Sequence, residues 1–166
     1  MRNMLVLLGS LVVLTAPVAA FAADPTPAAS SLANQSCKTQ QSSMTAAAFG
    51  SLYTNFGRCV TKALGTAQGQ LTNAATTCKK QQTDPGFAAA HGGQTFDQLY
   101  GTKGNGASAD ANAYGKCVSQ TARAANGQST SALVSAAQKC RAAQKANPAA
   151  FASRYRTFGK CVSTSV

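Results

Sequence analysis

Three segments of this chain open and close alike, and each begins and ends at a cysteine: 37–59, 78–117 and 140–161. Each opens with Cys-[Lys/Arg]-x-x-Gln, as in Cys37-Lys38 with Gln41, Cys78-Lys79 with Gln82, and Cys140-Arg141 with Gln144. Each closes with an aromatic residue, then Gly-[Arg/Lys]-Cys-Val-[Ser/Thr], at Phe56–Thr61, Tyr114–Ser119 and Phe158–Ser163. All six cysteines sit on these edges. Such a chain is constrained to small stapled units, and the pattern specifies a scaffold rather than a reaction.

Six cysteines in an exported chain read as three disulfides, with fifteen formal connectivities. Two make physical sense. Each unit can close on itself, giving Cys37–Cys59, Cys78–Cys117 and Cys140–Cys161. Alternatively, helical hairpins are clipped by Cys59–Cys78 and Cys117–Cys140, which leaves Cys37 for Cys161. The midpoints of those hairpins fall at Gly65–Gly69 and beside Asn126-Gly127, so geometry alone permits them. The boundaries favour self-closed units: folding is expected to start at one unit's first cysteine and to stop just after another's last.

Export is read from the first residues. Arg2 precedes an apolar run, Met4–Ala16, and Ala20-Phe21-Ala22 supplies the small residues of a cleavage site. Residues 1–22 are therefore expected to be a signal peptide, the run being shorter than the ~20 apolar residues needed to span a bilayer. Nothing later in the chain is apolar enough to serve as a transmembrane segment. Residues 23–36, rich in Pro, Ala and Ser, read as a disordered, flexible lead-in. Residues 37–166 read as a single repeat-built helical domain.

The fold class expected is all-α, with short helices in a three-unit internal repeat stapled by about three disulfides. Leu71, Ala74 and Cys78, matched by Leu133, Ala136/Ala137 and Cys140, lie along one helix face. The spacing predicts helices over 70–82 and 130–145, the second capped by Ser129 or Thr130. Gly65, Gly69 and Asn126-Gly127 mark turns before them, separating them from helices over 57–67 and 113–125. Inside each unit an aromatic pair recurs at i, i+4: Phe49/Tyr53, Phe96/Tyr100 and Phe151/Tyr155. That spacing places both rings on one face of a short helix. Asn147-Pro148, and similarly Asp84-Pro85, suit a helix start. The middle unit carries an extra Gly/Asn/Ser-rich loop, 101–112. It is read as a tolerated insertion, with a special surface as the alternative.

The unit tails resemble a repeat of uncharacterised exported cysteine-repeat proteins of high-GC Gram-positive bacteria. The residues that carry the likeness are Phe151-Ala152-Ser153-Arg154-Tyr155 with Phe158–Ser163, and Tyr100-Gly101-Thr102 with Asn112–Ser119. The first unit departs most, with Gly50 for Ala and Arg58 for Lys. The resemblance implies export and a repeated helical scaffold and carries over no activity.

Catalytic constellations are thin on this chain. It has no Glu, four Asp (Asp24, Asp84, Asp97 and Asp110) and one His, and no Ser lies in a nucleophile-elbow pattern. His91, in Ala-His-Gly-Gly, reads as an exposed loop residue. No Cys-x-x-Cys or EF-hand ligand order is present, so neither a metal nor a cofactor is expected. The expectation is a protein that is not an enzyme.

Charge is the feature with functional leverage. Without residues 1–22 the chain keeps fourteen Lys and Arg against four Asp, a formal +10. Lys79, Lys80, Lys139, Arg141, Lys145, Arg154, Arg156 and Lys160 crowd the cysteine edges and are the candidate contacts for an anionic partner. The function expected is a secreted structural or binding protein associating with wall polymer, lipid headgroups or DNA; the alternative is a secreted cationic effector acting on other cells. No specific nucleic-acid motif is present.

Overall fold

The computed structural model describes residues 26–101 and 112–166. The expected signal peptide (1–22) and all but the edges of the 101–112 loop lie outside them. Within the described residues the chain forms eight helices: α1 Pro27–Ser43, α2 Ala46–Tyr53, α3 Phe56–Thr83, α4 Phe87–Ala90, α5 Phe96–Tyr100, α6 Ala113–Ala146, α7 Pro148–Tyr155 and α8 Phe158–Ser163. The expected all-α class stands, but two features of the organisation differ.

First, most of the expected disordered lead-in is helix. Thr26 caps α1 by accepting from the Ala29 N–H at 3.2 Å, and Pro27 occupies the first turn, where its missing N–H costs nothing. Ala29, Leu32, Ala33, Ser36, Cys37 and Gln40 are buried. Their 3–4-residue spacing is one helical stripe.

Second, the predicted turns at Gly65, Gly69 and Asn126-Gly127 are absent. α3 runs unbroken for 28 residues and α6 for 34. A glycine inside a helix costs about 1 kcal/mol against alanine. Here α1 packs along the middle of both helices and offsets that cost. Ala67, Ala74 and Ala122 meet Ala29, Leu32 and Ala33 of α1 in one cluster. Asn126, read as a turn residue, is buried, and its Nδ2 donates to the Leu32 carbonyl at 3.2 Å. Thr130, read as a cap, is also buried and shares a 2.7 Å hydrogen bond with Ser36.

The continuous helices decide the disulfide pattern. Cys59 and Cys78 stand nineteen residues apart on the same helix, about 28 Å at 1.5 Å per residue, whereas bridged Cα atoms must lie within about 7 Å. The hairpin alternative is excluded. The bonds are Cys37–Cys59, Cys78–Cys117 and Cys140–Cys161, with Cα–Cα distances of 5.9, 5.9 and 6.0 Å.

Each disulfide joins two helices around a short aromatic helix. The aromatic pairs have similar geometry, with ring centroids 5.2, 4.9 and 5.2 Å apart for Phe49–Tyr53, Phe96–Tyr100 and Phe151–Tyr155. The starts of α2, α7 and α8 are capped by Thr45, Asn147 and Thr157. Asp84 instead turns the chain ahead of α4, accepting from the Gly86 N–H at 2.8 Å.

α2 and α7 end identically, and in a costly way. Thr54 and Arg156 have φ of 66° and 62°, with ψ of −47° and −44°. The Asn55 N–H reaches the Tyr53 carbonyl and the Thr157 N–H reaches the Tyr155 carbonyl, each at 2.7 Å. These are γ-turns of positive φ, a rare and strained form, and such residues cost of order 1–3 kcal/mol. Glycine relieves the strain at a smaller cost in unfolded-chain entropy. Thr54→Gly should therefore raise stability by about 1 kcal/mol, read as a higher urea midpoint at unchanged slope. A lower midpoint would show that the Thr54 side chain contributes more than its backbone loses.

Candidate anion-binding surface

The zigzag of long helices sorts the cations by position. α3 and α6 run antiparallel, so the Cys78–Cys117 disulfide marks one end of the molecule. Cys37–Cys59 and Cys140–Cys161 mark the other. There the first and third units share a core, with Ala48 of α2 packed with Ala136, Ala137 and Cys140 of α6, Phe151 of α7, and Phe158 and Val162 of α8.

Of the eight candidate residues, six gather at this shared end: Lys139, Arg141, Lys145, Arg154, Arg156 and Lys160. Lys79 and Lys80 lie at the opposite end, near the last turn of α3. All eight are exposed. Sequence reasoning left out three further exposed cations of the shared end, Lys38, Arg58 and Lys62. Their signal was present, since Lys38 and Arg58 flank Cys37 and Cys59 as Arg141 and Lys160 flank Cys140 and Cys161.

The acidic side chains are segregated. Asp84 and Asp97, the two among the described residues, both lie in the α3–α6 connection. Nine cations at the shared end thus face no described acidic side chain there, the one described carboxylate at that end being the α-carboxylate of Val166. Two are steadied by aromatic rings: Arg154 lies 5.2 Å from the Tyr155 centroid, and Lys62 lies 5.6 Å from that of Tyr53. Arg141 and Lys145 border a groove of about 370 Å³ whose walls include Met44, Ala48, Ala137 and Ala142.

His91 is half-buried rather than an exposed loop residue. Its ring stacks on Phe87 at 3.9 Å, and its Nδ1 lies 2.7 Å from the Phe87 carbonyl. Asp97 sits in the first turn of α5, where the helix dipole favours a negative charge.

A second feature went unread in the sequence. Tyr53 Oη donates to Gln40 Oε1 at 2.7 Å, Gln40 Nε2 donates to Ser36 Oγ at 2.9 Å, and Ser36 meets Thr130. Burial pushes the Tyr53 hydroxyl above its ordinary pKa near 10, so it remains a donor at neutral pH. This polar seam lines a cleft of about 400 Å³ where α1, α3 and α6 meet α2 and α8. Its signal was the i, i+4 pairing of Ser36 with Gln40 and of Asn126 with Thr130 on otherwise apolar stripes.

Among the described residues, no helix is long and apolar enough to cross a membrane. No family model matches the chain, and neither a curated protein nor a solved structure shows significant similarity to it.

Proposed function

We propose that this chain is an exported, non-enzymatic binding protein whose basic end associates with an anionic extracellular partner: a wall polymer, lipid headgroups or DNA. One observation carries the reading. Nine exposed cations lie at the end built by the first and third units, while both described aspartates lie at the other. A merely solubilising charge needs no such segregation, whereas a polyanion is recognised by closely spaced cations of one sign. Three disulfides support an oxidising destination, as does the apolar start of the sequence.

The test is co-sedimentation of the oxidised protein with isolated cell walls and anionic vesicles, plus a DNA mobility shift, across a salt series. The R141Q/K145Q/R154Q/R156Q variant should lose about a hundredfold in apparent affinity at low salt, with a shallower salt dependence. The K79Q/K80Q variant should lose less than threefold. Absence of binding at low salt, or equal losses in both variants, would remove the basic end as the binding surface. Vesicle leakage on binding would replace this reading with the cationic-effector one.

A further inference from the structure

We propose that the groove between the α1–α2 corner and α6 is a binding site for an anionic glycerophospholipid. The inference rests on the basic-end reading above and narrows its partner to lipid.

The groove lies where the chain leaves α1 at Ser43 and is capped into α2 by Thr45, beside α6. Buried Ala48 and Ala137 line it together with Met44 and Ala142. Alanine offers one methyl group where a larger side chain would close the gap. Hydrocarbon that displaces water from such a wall is stabilised there. The volume is about 370 Å³, within the usual range of small-molecule sites. At ~30 Å³ per water-sized group, it holds on the order of a dozen non-hydrogen atoms. That suits a glycerol unit and the first carbons of one acyl chain.

The cations stand along one lip. Arg141 and Lys145 are four residues apart on α6, so their Cβ atoms lie about 5–6 Å apart on one side of the helix. Like charges at that spacing repel, and a phosphodiester between them relieves the repulsion. Thr45 lines the same groove; its hydroxyl oxygen accepts from the Ala48 N–H at 3.2 Å, and a hydroxyl also carries one donor hydrogen. Val166, with its α-carboxylate, lines the other cleft of this end, as do Lys62 and Leu133. At about 100° per residue, Arg141 and Lys145 stand about 80° and 120° around α6 from Leu133, on a different side of the helix.

The apolar walls choose among the three partner classes. A wall polymer or duplex DNA presents phosphates flanked by sugar or polyol, which gains nothing from methyl groups. A glycerophospholipid carries hydrocarbon within a few bonds of its phosphate.

The probe is dihexanoylphosphatidylglycerol, titrated calorimetrically into the oxidised protein below its aggregation concentration. Dihexanoylphosphatidylcholine and glycerol 3-phosphate are the comparisons. The anionic lipid should bind saturably, one per chain, about fivefold more tightly than the choline lipid and at least about tenfold more tightly than glycerol 3-phosphate. R141Q/K145Q should lower its affinity about tenfold. Ala142→Phe and Ser43→Phe fill the groove from exposed positions on α6 and α1, and each should lower it at least about fivefold. Melting curves confirm folding. Polyphosphate at low salt reads the basic end by itself, and its binding should change less than about twofold in the filled variants, which keep every cation. Failure of the unaltered protein to bind either polyphosphate or phosphatidylglycerol vesicles overturns the basic-end reading, and the groove with it. Polyphosphate binding without saturable lipid binding, equal affinity for glycerol 3-phosphate and the lipid, or unchanged lipid binding in both filled variants overturns the groove proposal alone.

Discussion

Reducing the three disulfides should unfold this protein at room temperature, because the cysteines are both its cross-links and much of its core. The bridges close loops of 22, 39 and 21 residues. In the chain-entropy model each contributes about 3–4 kcal/mol, or about 10 kcal/mol together. Typical domains hold only about 5–15 kcal/mol in total. Apart from the cysteines, the core has only five phenylalanines, Leu32 and Val162 as large side chains, spread over four separate clusters. The largest side chains buried to under 2 % exposure are Cys37, Cys59, Cys78, Cys117 and Cys140, and most of the other deeply buried residues are alanines. Each alanine removes only one methyl group from water, of order 1 kcal/mol. A phosphine reductant should abolish the cooperative thermal transition and most of the helical circular dichroism. Removing only the longest loop, with C78A/C117A, should lower Tm by roughly 10 °C. A reduced protein that still melted cooperatively within a few degrees of the oxidised form would show that the helix seams suffice without the staples.

That dependence was legible in the sequence, as were the self-closed units, the aromatic i, i+4 pairs and the Asn147-Pro148 helix start. These are local signals: a cap, a face or a boundary is complete within a few residues. The misreadings share one cause. Gly65, Gly69 and Asn126-Gly127 resemble breaks because glycine and asparagine weaken an isolated helix, and residues 27–36 resemble a linker because they are small and polar. Both judgements reverse once α1 lies against α3 and α6. Small residues then let backbones approach, and Asn126 finds its partner in the Leu32 carbonyl, 94 positions away. Alanine is ambiguous in a sequence because it suits a linker and a tight seam equally. The segregation of charge was hidden for a related reason. Lys79-Lys80 and Lys139/Arg141 occupy matching places beside cysteines, and only the unbroken length of α3 and α6 puts them at opposite ends.

The three closing aromatics test how far likeness in sequence implies likeness in energy. Phe56, Tyr114 and Phe158 occupy the same place before Gly-[Arg/Lys]-Cys, yet Phe158 is 7 % exposed, Phe56 is half-buried and Tyr114 is 38 % exposed. The differences follow from what each begins. Phe56 and Tyr114 stand in the first turns of helices of 28 and 34 residues that are held along their length by other contacts. Phe158 opens the six-residue α8, far too short to persist alone in water. α8 is kept in place by Phe158, Cys161 and Val162 packing against α2, α6 and α7. Phe158→Ala should therefore cost about 3–5 kcal/mol, the range for a buried phenylalanine. Phe56→Ala should cost less, and Tyr114→Ala should cost about 1 kcal/mol, chiefly the hydrogen bond from its hydroxyl to the Ala75 carbonyl. Denaturant midpoints give the ranking. Hydrogen exchange locates the damage: in Phe158→Ala the α8 amides should lose protection while the middle of α3 keeps it, since Cys161 still tethers the freed turn to Cys140. Equal costs at the three positions would mean that the local motif, and not the helix it starts, sets the energy.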